Sequence, residues 1–249
     1  MRFRLGGVPF GVGAPLLAGL GDDPSVELVL EPPTRLIELL REGRLDAALV
    51  SSIEAFRTPG YRVAPSLSIC CEGPARSVRA FVRRGAKIRT VALDAGSETS
   101  VALLKVLLAK VLHAEGCAFT KVAPTLEPDA FAEDLVLLIG DCGLQAQAGD
   151  REVWDLGHKW QQWTRLPFVF AVWLLRAGAD AAAIVKTLTA ARERGRQLGA
   201  VDGTHGAAHY DLDDEDVRGL RHFWAECRAL GLASAGDPRF VPHSIPASR

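Results

Sequence analysis

The stretch L-P-F-V-F-A-V-W at Leu166–Trp173 is the feature that most constrains what this chain can fold into. An apolar and aromatic run of that length reads as a strand covered on both faces, which requires structure above and below it. It follows a long strand–helix alternation and precedes a largely helical C-terminal third. That position suggests a chain returning from one lobe to another.

The alternation begins at once. Phe3–Val8 reads as a first strand, and Gly11, Gly13 and Pro15 turn the chain into a short helix through Leu20. Val26–Leu30 reads as a second strand. Thr34 suits an N-cap for a helix over Arg35–Glu42, which Gly43 stops. Leu45–Val50 is a third strand, ending at Ser51-Ser52. Short connections in this order argue for a mostly parallel sheet covered by helices. A second series follows: a strand from Ser77 to Val82, then Thr90–Leu93, a helix over Thr99–His113, and strands at Phe119–Val122 and Leu135–Ile139. Helices are expected over Ala179–Leu198 and Asp213–Leu230. The chain divides into a discontinuous first lobe, 1–86 and 174–249, and a second lobe, 87–173, with a ligand cleft between them. The fold class is α/β, with the architecture of a type II periplasmic binding protein.

Composition narrows the function. A formal net charge of −1 from 29 basic and 30 acidic residues provides no field to recruit nucleic acid or an anionic membrane. The five cysteines lack C-x-x-C spacing, so neither a disulfide framework nor a zinc site is favoured. His205 and His209 fall at i,i+4, but Gly203 and Gly206 argue against a helix there, and no metal is expected. With no signal-peptide core and no bilayer-length apolar run, a cytoplasmic location is expected.

Several segments could carry chemistry. Asp94-Ala95-Gly96-Ser97-Glu98-Thr99-Ser100 joins a strand to a helix that starts with hydroxyls. Its free amides, dipole and the Ser97, Thr99 and Ser100 side chains make an anion site. Ser51 and Ser52 could bind a carboxylate or simply cap a turn. Arg76 and Ser77, on a Gly-Pro loop, suit an anionic ligand as well as they suit a solvated loop. Asp141, after Ile139-Gly140, either orients a ligand or locks its own loop. Cys70 and Cys71 should point to opposite faces of a strand, one thiol in the core and one at the surface. Trp154, Trp160, Trp163 and Trp173 should pack the lobes together around the return crossing.

The ordered set L-D-A-A-L-V-S-S-I-E, S-L-S-I-C-C-E-G-P-A-R-S-V, S-E-T-S-V-A-L-L, L-I-G-D, D-L-G-H-K-W-Q-Q-W-T-R-L-P-F-V-F-A-V-W and Y-D-L-D-D-E-D-V-R-G-L resembles the chorismate dehydratases of the futalosine route to menaquinone. The resemblance runs from Met1 to about Leu232. It implies a lyase that removes water from chorismate to give 3-[(1-carboxyvinyl)oxy]benzoate, with no metal or organic cofactor. Ser77 and the Ser97/Thr99/Ser100 loop would anchor the substrate carboxylates, and Ser51 and Ser52 would line the first lobe. The expected partner is this small carboxylate alone, on a monomer or homodimer.

The N-terminal turn departs from the family pattern, which reads roughly I-x-Y-x-N-x-x-P-L. Here V-P-F-G-V-G-A-P-L puts Phe10 at the tyrosine and Val12 at the asparagine. The catalytic group at Gly11-Val12-Gly13 is therefore left unidentified. Backbone amides of the turn could serve, the substrate's own carboxylate could act as base, or the chain could bind without turnover. A non-catalytic binder of an aromatic carboxylate and a 1,4-dihydroxy-6-naphthoate synthase-like enzyme stand as the alternatives.

Overall fold

The computed structural model describes residues 2–94, 96–199, 206–233 and 236–242. His205 lies outside them. In chain order, β1 (Phe3–Gly7) leads through a 3-10 turn (Gly11–Gly13) to α1 (Ala14–Leu17), β2 (Val26–Leu30), α2 (Pro33–Arg41), β3 (Ala47–Ser51), α3 (Glu54–Arg57) and β4 (Arg62–Cys71). Then come β5 (Val78–Arg83), β6 (Thr90–Asp94), α4 (Glu98–Lys110), β7 (Ala118–Val122), β8 (Leu135–Ile139), α5 (Gly140–Gln145), β9 (Arg151–Asp155) and α6 (Leu156–Thr164). The chain closes with β10 (Phe168–Leu175), α7 (Ala181–Gln197), β11 (Ala208–His209) and α8 (Asp214–Ala229).

Two sheets form two lobes. The first runs β11-β4-β10-β3-β1-β2 and the second β7-β6-β8-β5-β9. β1 is parallel to β2 and β3, as the short helical connections require, but β10 is antiparallel to both β3 and β4. β5 likewise runs antiparallel to β8 and β9, so both sheets are mixed rather than mostly parallel.

The expected lobe boundaries place β5 with the first lobe and most of β10 with the second. Hydrogen bonding assigns β5 to the second sheet and β10 to the centre of the first. An apolar run reads as a strand whichever sheet takes it; its pairing partner is not written in its own residues. The chain therefore crosses between sheets at 72–77 and again at 165–167.

Local chemistry sets the helix ends. Pro33 occupies the first position of α2, where a missing N–H costs nothing, and Thr34 lies inside the helix without capping it. Gly43, at φ +70°, supplies the left-handed residue that ends the helix. At α8 the Asp213 and Asp216 carboxylates each accept the other's backbone N–H at 2.9 Å, a capping box. α4 buries residues on several sides, including Thr99, Ser100, Leu103, Leu104 and Leu107, because it packs against α6 and against β10 and α8 of the first lobe. Around the return crossing, the rings of Trp160, Trp163, Phe168 and Phe223 meet edge to face, and Trp160 Nε1 donates to Pro167 O at 3.0 Å. Trp173 is buried in the first sheet, and Trp154 instead takes the Lys159 ammonium over its ring. Among the described residues no helix is long and apolar enough to cross a membrane.

Candidate active site

The ends of β1, β3 and β4 in one lobe face the ends of β6 and β8 in the other across a cavity of about 310 Å³. That volume suits a small organic ligand. Its wall is mainly apolar, with Phe10, Val12, Ile69, Ile139 and Phe170 among its lining. Polar groups enter at Ser51, Ser77, Asp94, Ser97, Ser100 and Asp141. None of the described lining residues is Lys, Arg or His. A carboxylate entering here must be held by hydroxyls and backbone amides.

The hydroxyls predicted from sequence divide into two groups. Ser97 caps α4, its Oγ accepting Ser100 N–H at 3.3 Å and Ser100 Oγ–H at 3.1 Å. Ser51 Oγ lies 3.5 Å from Ser97 Oγ across the cleft, so three serines from both lobes converge at the start of a thirteen-residue helix. Ser77, just before β5, also lines the cavity, and its Oγ donates to Ala75 O at 3.4 Å.

Ser52 and Thr99 do not line the cavity. Both are fully buried, their hydroxyls 3.3 Å apart, and Thr99 Oγ1 also accepts the Ile53 N–H at 3.1 Å. They fasten one lobe to the other. Arg76 is exposed outside the lining, and its N–H and that of Ala75 are held by the Asp155 carboxylate at 2.6 and 3.0 Å. Of the N-terminal turn, Val12 reaches the cavity, whereas Gly11 and Gly13 are not in its lining.

Asp94 escaped notice within the loop that sequence analysis singled out. It is the last residue of β6 and almost wholly buried. Its Oδ1 accepts Gly96 N–H at 2.8 Å and its Oδ2 accepts Ile139 N–H at 3.1 Å. Burial raises its pKa, opposed by those two hydrogen bonds. It sets the two strand ends that form the second-lobe floor. A carboxylate closing an apolar strand was the available signal. Asp141 stands exposed in the first turn of α5, at the cavity mouth.

Both Cys70 and Cys71 are buried, because β4 is covered on its two faces at this end. Burial drives both thiol pKa values up, which leaves neither a nucleophile at neutral pH. Sequence spacing offers no metal centre, yet the fold draws the ligand atoms of Cys70, His209 and Asp216 within 4.8 Å of one another. Three separate elements supply them, so no local motif could announce the cluster.

Comparison with known proteins settles the kinship. A family model described as menaquinone biosynthesis matches residues 3–224. The chain belongs to the menaquinone biosynthesis family. Chorismate dehydratase of Thermus thermophilus is 33% identical, over 84% of this chain and 88% of that one. Solved structures share the family member's fold at low identity. A protein of Archaeoglobus fulgidus aligns with a TM-score of 0.64 at 16% identity, covering 93% of this chain and 98% of its own. The periplasmic aliphatic sulphonate binding protein of Escherichia coli aligns with a TM-score of 0.62 at 15% identity, over 100% of this chain and 94% of its own. The family member thus has the periplasmic-binding-protein fold, and its cavity lies between the lobes as in that architecture.

Proposed function

We propose that this protein is a chorismate dehydratase, a hydro-lyase of menaquinone biosynthesis that acts in the cytoplasm as a monomer or homodimer. The observation that carries the reading is its identity with the Thermus enzyme along most of both chains. Chorismate loses a ring hydroxyl and the hydrogen on the adjacent carbon that bears the enolpyruvyl ether. The products are water and the aromatic 3-[(1-carboxyvinyl)oxy]benzoate. Because the ring becomes aromatic, much of the driving force lies in the product, and the protein's task is to hold the substrate dry and oriented.

Ser97, Ser100 and Ser51, with the amides opening α4, suit one carboxylate; Ser77 suits the other. Phe10, Val12 and Phe170 give the ring an apolar seat. Asp94 is committed to two backbone amides, so Asp141 and the substrate's own carboxylates are the bases left in the cavity. Val12 in the wall also favours a second reading, a binder of the same carboxylate without turnover.

Incubation of purified protein with chorismate, followed by chromatography with mass detection, separates the two. A product one water lighter that co-elutes with 3-[(1-carboxyvinyl)oxy]benzoate and scales with protein is the expected result. Binding with no turnover above the spontaneous background would replace the enzyme by the binder.

A further inference from the structure

We propose that Cys70, His209 and Asp216 form a binding site for a thiophilic divalent cation of the zinc class at the wall of the first lobe. Cys70 is next to last in β4, and His209 is its direct cross-strand partner in β11. Directly paired residues project from the same face, so the thiol and imidazole meet there. Asp216 comes from the first turn of α8 and is fully buried. Its Oδ2 is used in the capping box, whereas its Oδ1 makes no well-formed hydrogen bond among the described residues and faces the Cys70 thiol and His209 Nε2, the latter at 3.4 Å. A buried carboxylate oxygen facing only a weak thiol donor and a long imidazole contact is poorly compensated, and a cation placed among these three atoms supplies the missing compensation.

The geometry fits. Zinc–ligand bonds of about 2.0–2.3 Å place the donor atoms of a tetrahedral site about 3.3–3.6 Å apart. The His209–Asp216 distance already lies in that range, and all three ligand atoms fall within 4.8 Å. One sulfur, one nitrogen and one carboxylate oxygen form a donor set suited to zinc, with water as the fourth ligand. Charge balances as well: the thiol proton leaves to solvent on binding, and the thiolate and carboxylate neutralise the dication. Ser68 Oγ lies 2.7 Å from Cys70 Sγ and gives its own proton to Asp211 O, so the thiol proton is the one lost when the cation binds.

Such a cation would staple the short edge strand β11 and the start of α8 to β4. Cys70 and Ala208 also border the main cavity, so occupancy would be felt there. The site stands independently of the dehydratase reading. The experiment is titration of chelator-treated protein with Co²⁺, with thermal unfolding measured in parallel with Zn²⁺. One equivalent of cobalt should give a thiolate-to-metal charge-transfer band and visible bands of tetrahedral intensity, both displaced by Zn²⁺. Cys70→Ser should abolish the charge-transfer band. His209→Gln, at a partly exposed edge position, should weaken binding by about 10–100-fold and remove the zinc-dependent rise in Tm. No cobalt spectrum, or one that survives unchanged in both variants, overturns the site and leaves an imidazole–carboxylate pair in its place. Circular dichroism of each variant identifies loss of fold, and the His209 variant carries the test if the Cys70 variant does not fold.

Discussion

At the Gly11–Gly13 turn a valine side chain faces the cavity where a hydrogen-bonding group would be useful to a departing hydroxide. Restoring a polar side chain should therefore help. Val12→Asn is expected to raise kcat for dehydration by about tenfold, the value of one new transition-state hydrogen bond of about 1.4 kcal/mol. A variant that binds chorismate equally well with unchanged kcat would show that this wall takes no part in the elimination. Thr99 illustrates the opposite case, a hydroxyl at a helix start that never meets the ligand. Thr99→Val keeps its shape but leaves the Ile53 N–H without an acceptor. It should cost about 1–3 kcal/mol in urea unfolding with KM changed by less than about twofold. A large rise in KM would instead return Thr99 to the ligand. Asp94 has a pKa raised above the ordinary 3.8, so the folded protein holds its proton more tightly than the unfolded chain does. Its contribution to stability is greatest below 3.8, falls as pH rises through the interval up to the folded pKa, and is constant above it. The difference in unfolding free energy between wild type and Asp94→Asn should therefore shrink across that acid interval. A difference that stays flat with pH would contradict the raised value.

Elements depend on close approaches that only small residues permit. Gly157, in the first turn of α6, lies against the end of β4, where an added Cβ would come within 2.6 Å of both Cys71 Sγ and Gly73 O. Gly157→Ala should destabilise the protein by about 1–3 kcal/mol through overpacking, read as a lower urea midpoint at constant slope. Unchanged stability would mean that α6 can shift freely on β4. The same region shows how far sequence reading reached. The strands of 26–30 and 135–139 were legible to the residue because apolar runs there end at turn residues, and α8 was legible through its acidic first turn and Gly231. β9 and α6 were missed: Arg151–Asp155 carries three charges in five residues and lies at a sheet edge. Ser51, Ser97 and Ser100, at strand-to-helix junctions, and Ser77, on the Gly-Pro loop, were singled out in the sequence, and all four line the cavity. Which hydroxyls would be consumed in joining the lobes was not legible, since that depends on contacts between residues about fifty positions apart.

At the scale of the whole molecule, the two lobes touch through Ser52–Thr99 and through a guanidinium shared between carboxylates. Arg57 Nη1 lies 3.1 Å from Glu54 Oε1 in its own lobe and 3.0 Å from Glu98 Oε2 in the other. The group is partly solvated, so its removal should be modest. Arg57→Ala is expected to raise KM about threefold, with kcat retained and a larger radius of gyration in ligand-free solution scattering. An unchanged radius would assign closure to the buried contacts alone. The placement of β10 also bears on how the molecule is made. β5 through β9 form one continuous stretch of chain, so the second lobe has its whole sheet available while the remainder is still being synthesised. The first sheet cannot close until residues 168–175 arrive, because β10 lies between β3 and β4 and both expose a bare edge before then. Birth order at the ribosome therefore reverses sequence order: the lobe begun first is the lobe finished last, and its open edges in the interval are where a chaperone or a stray strand would find this chain.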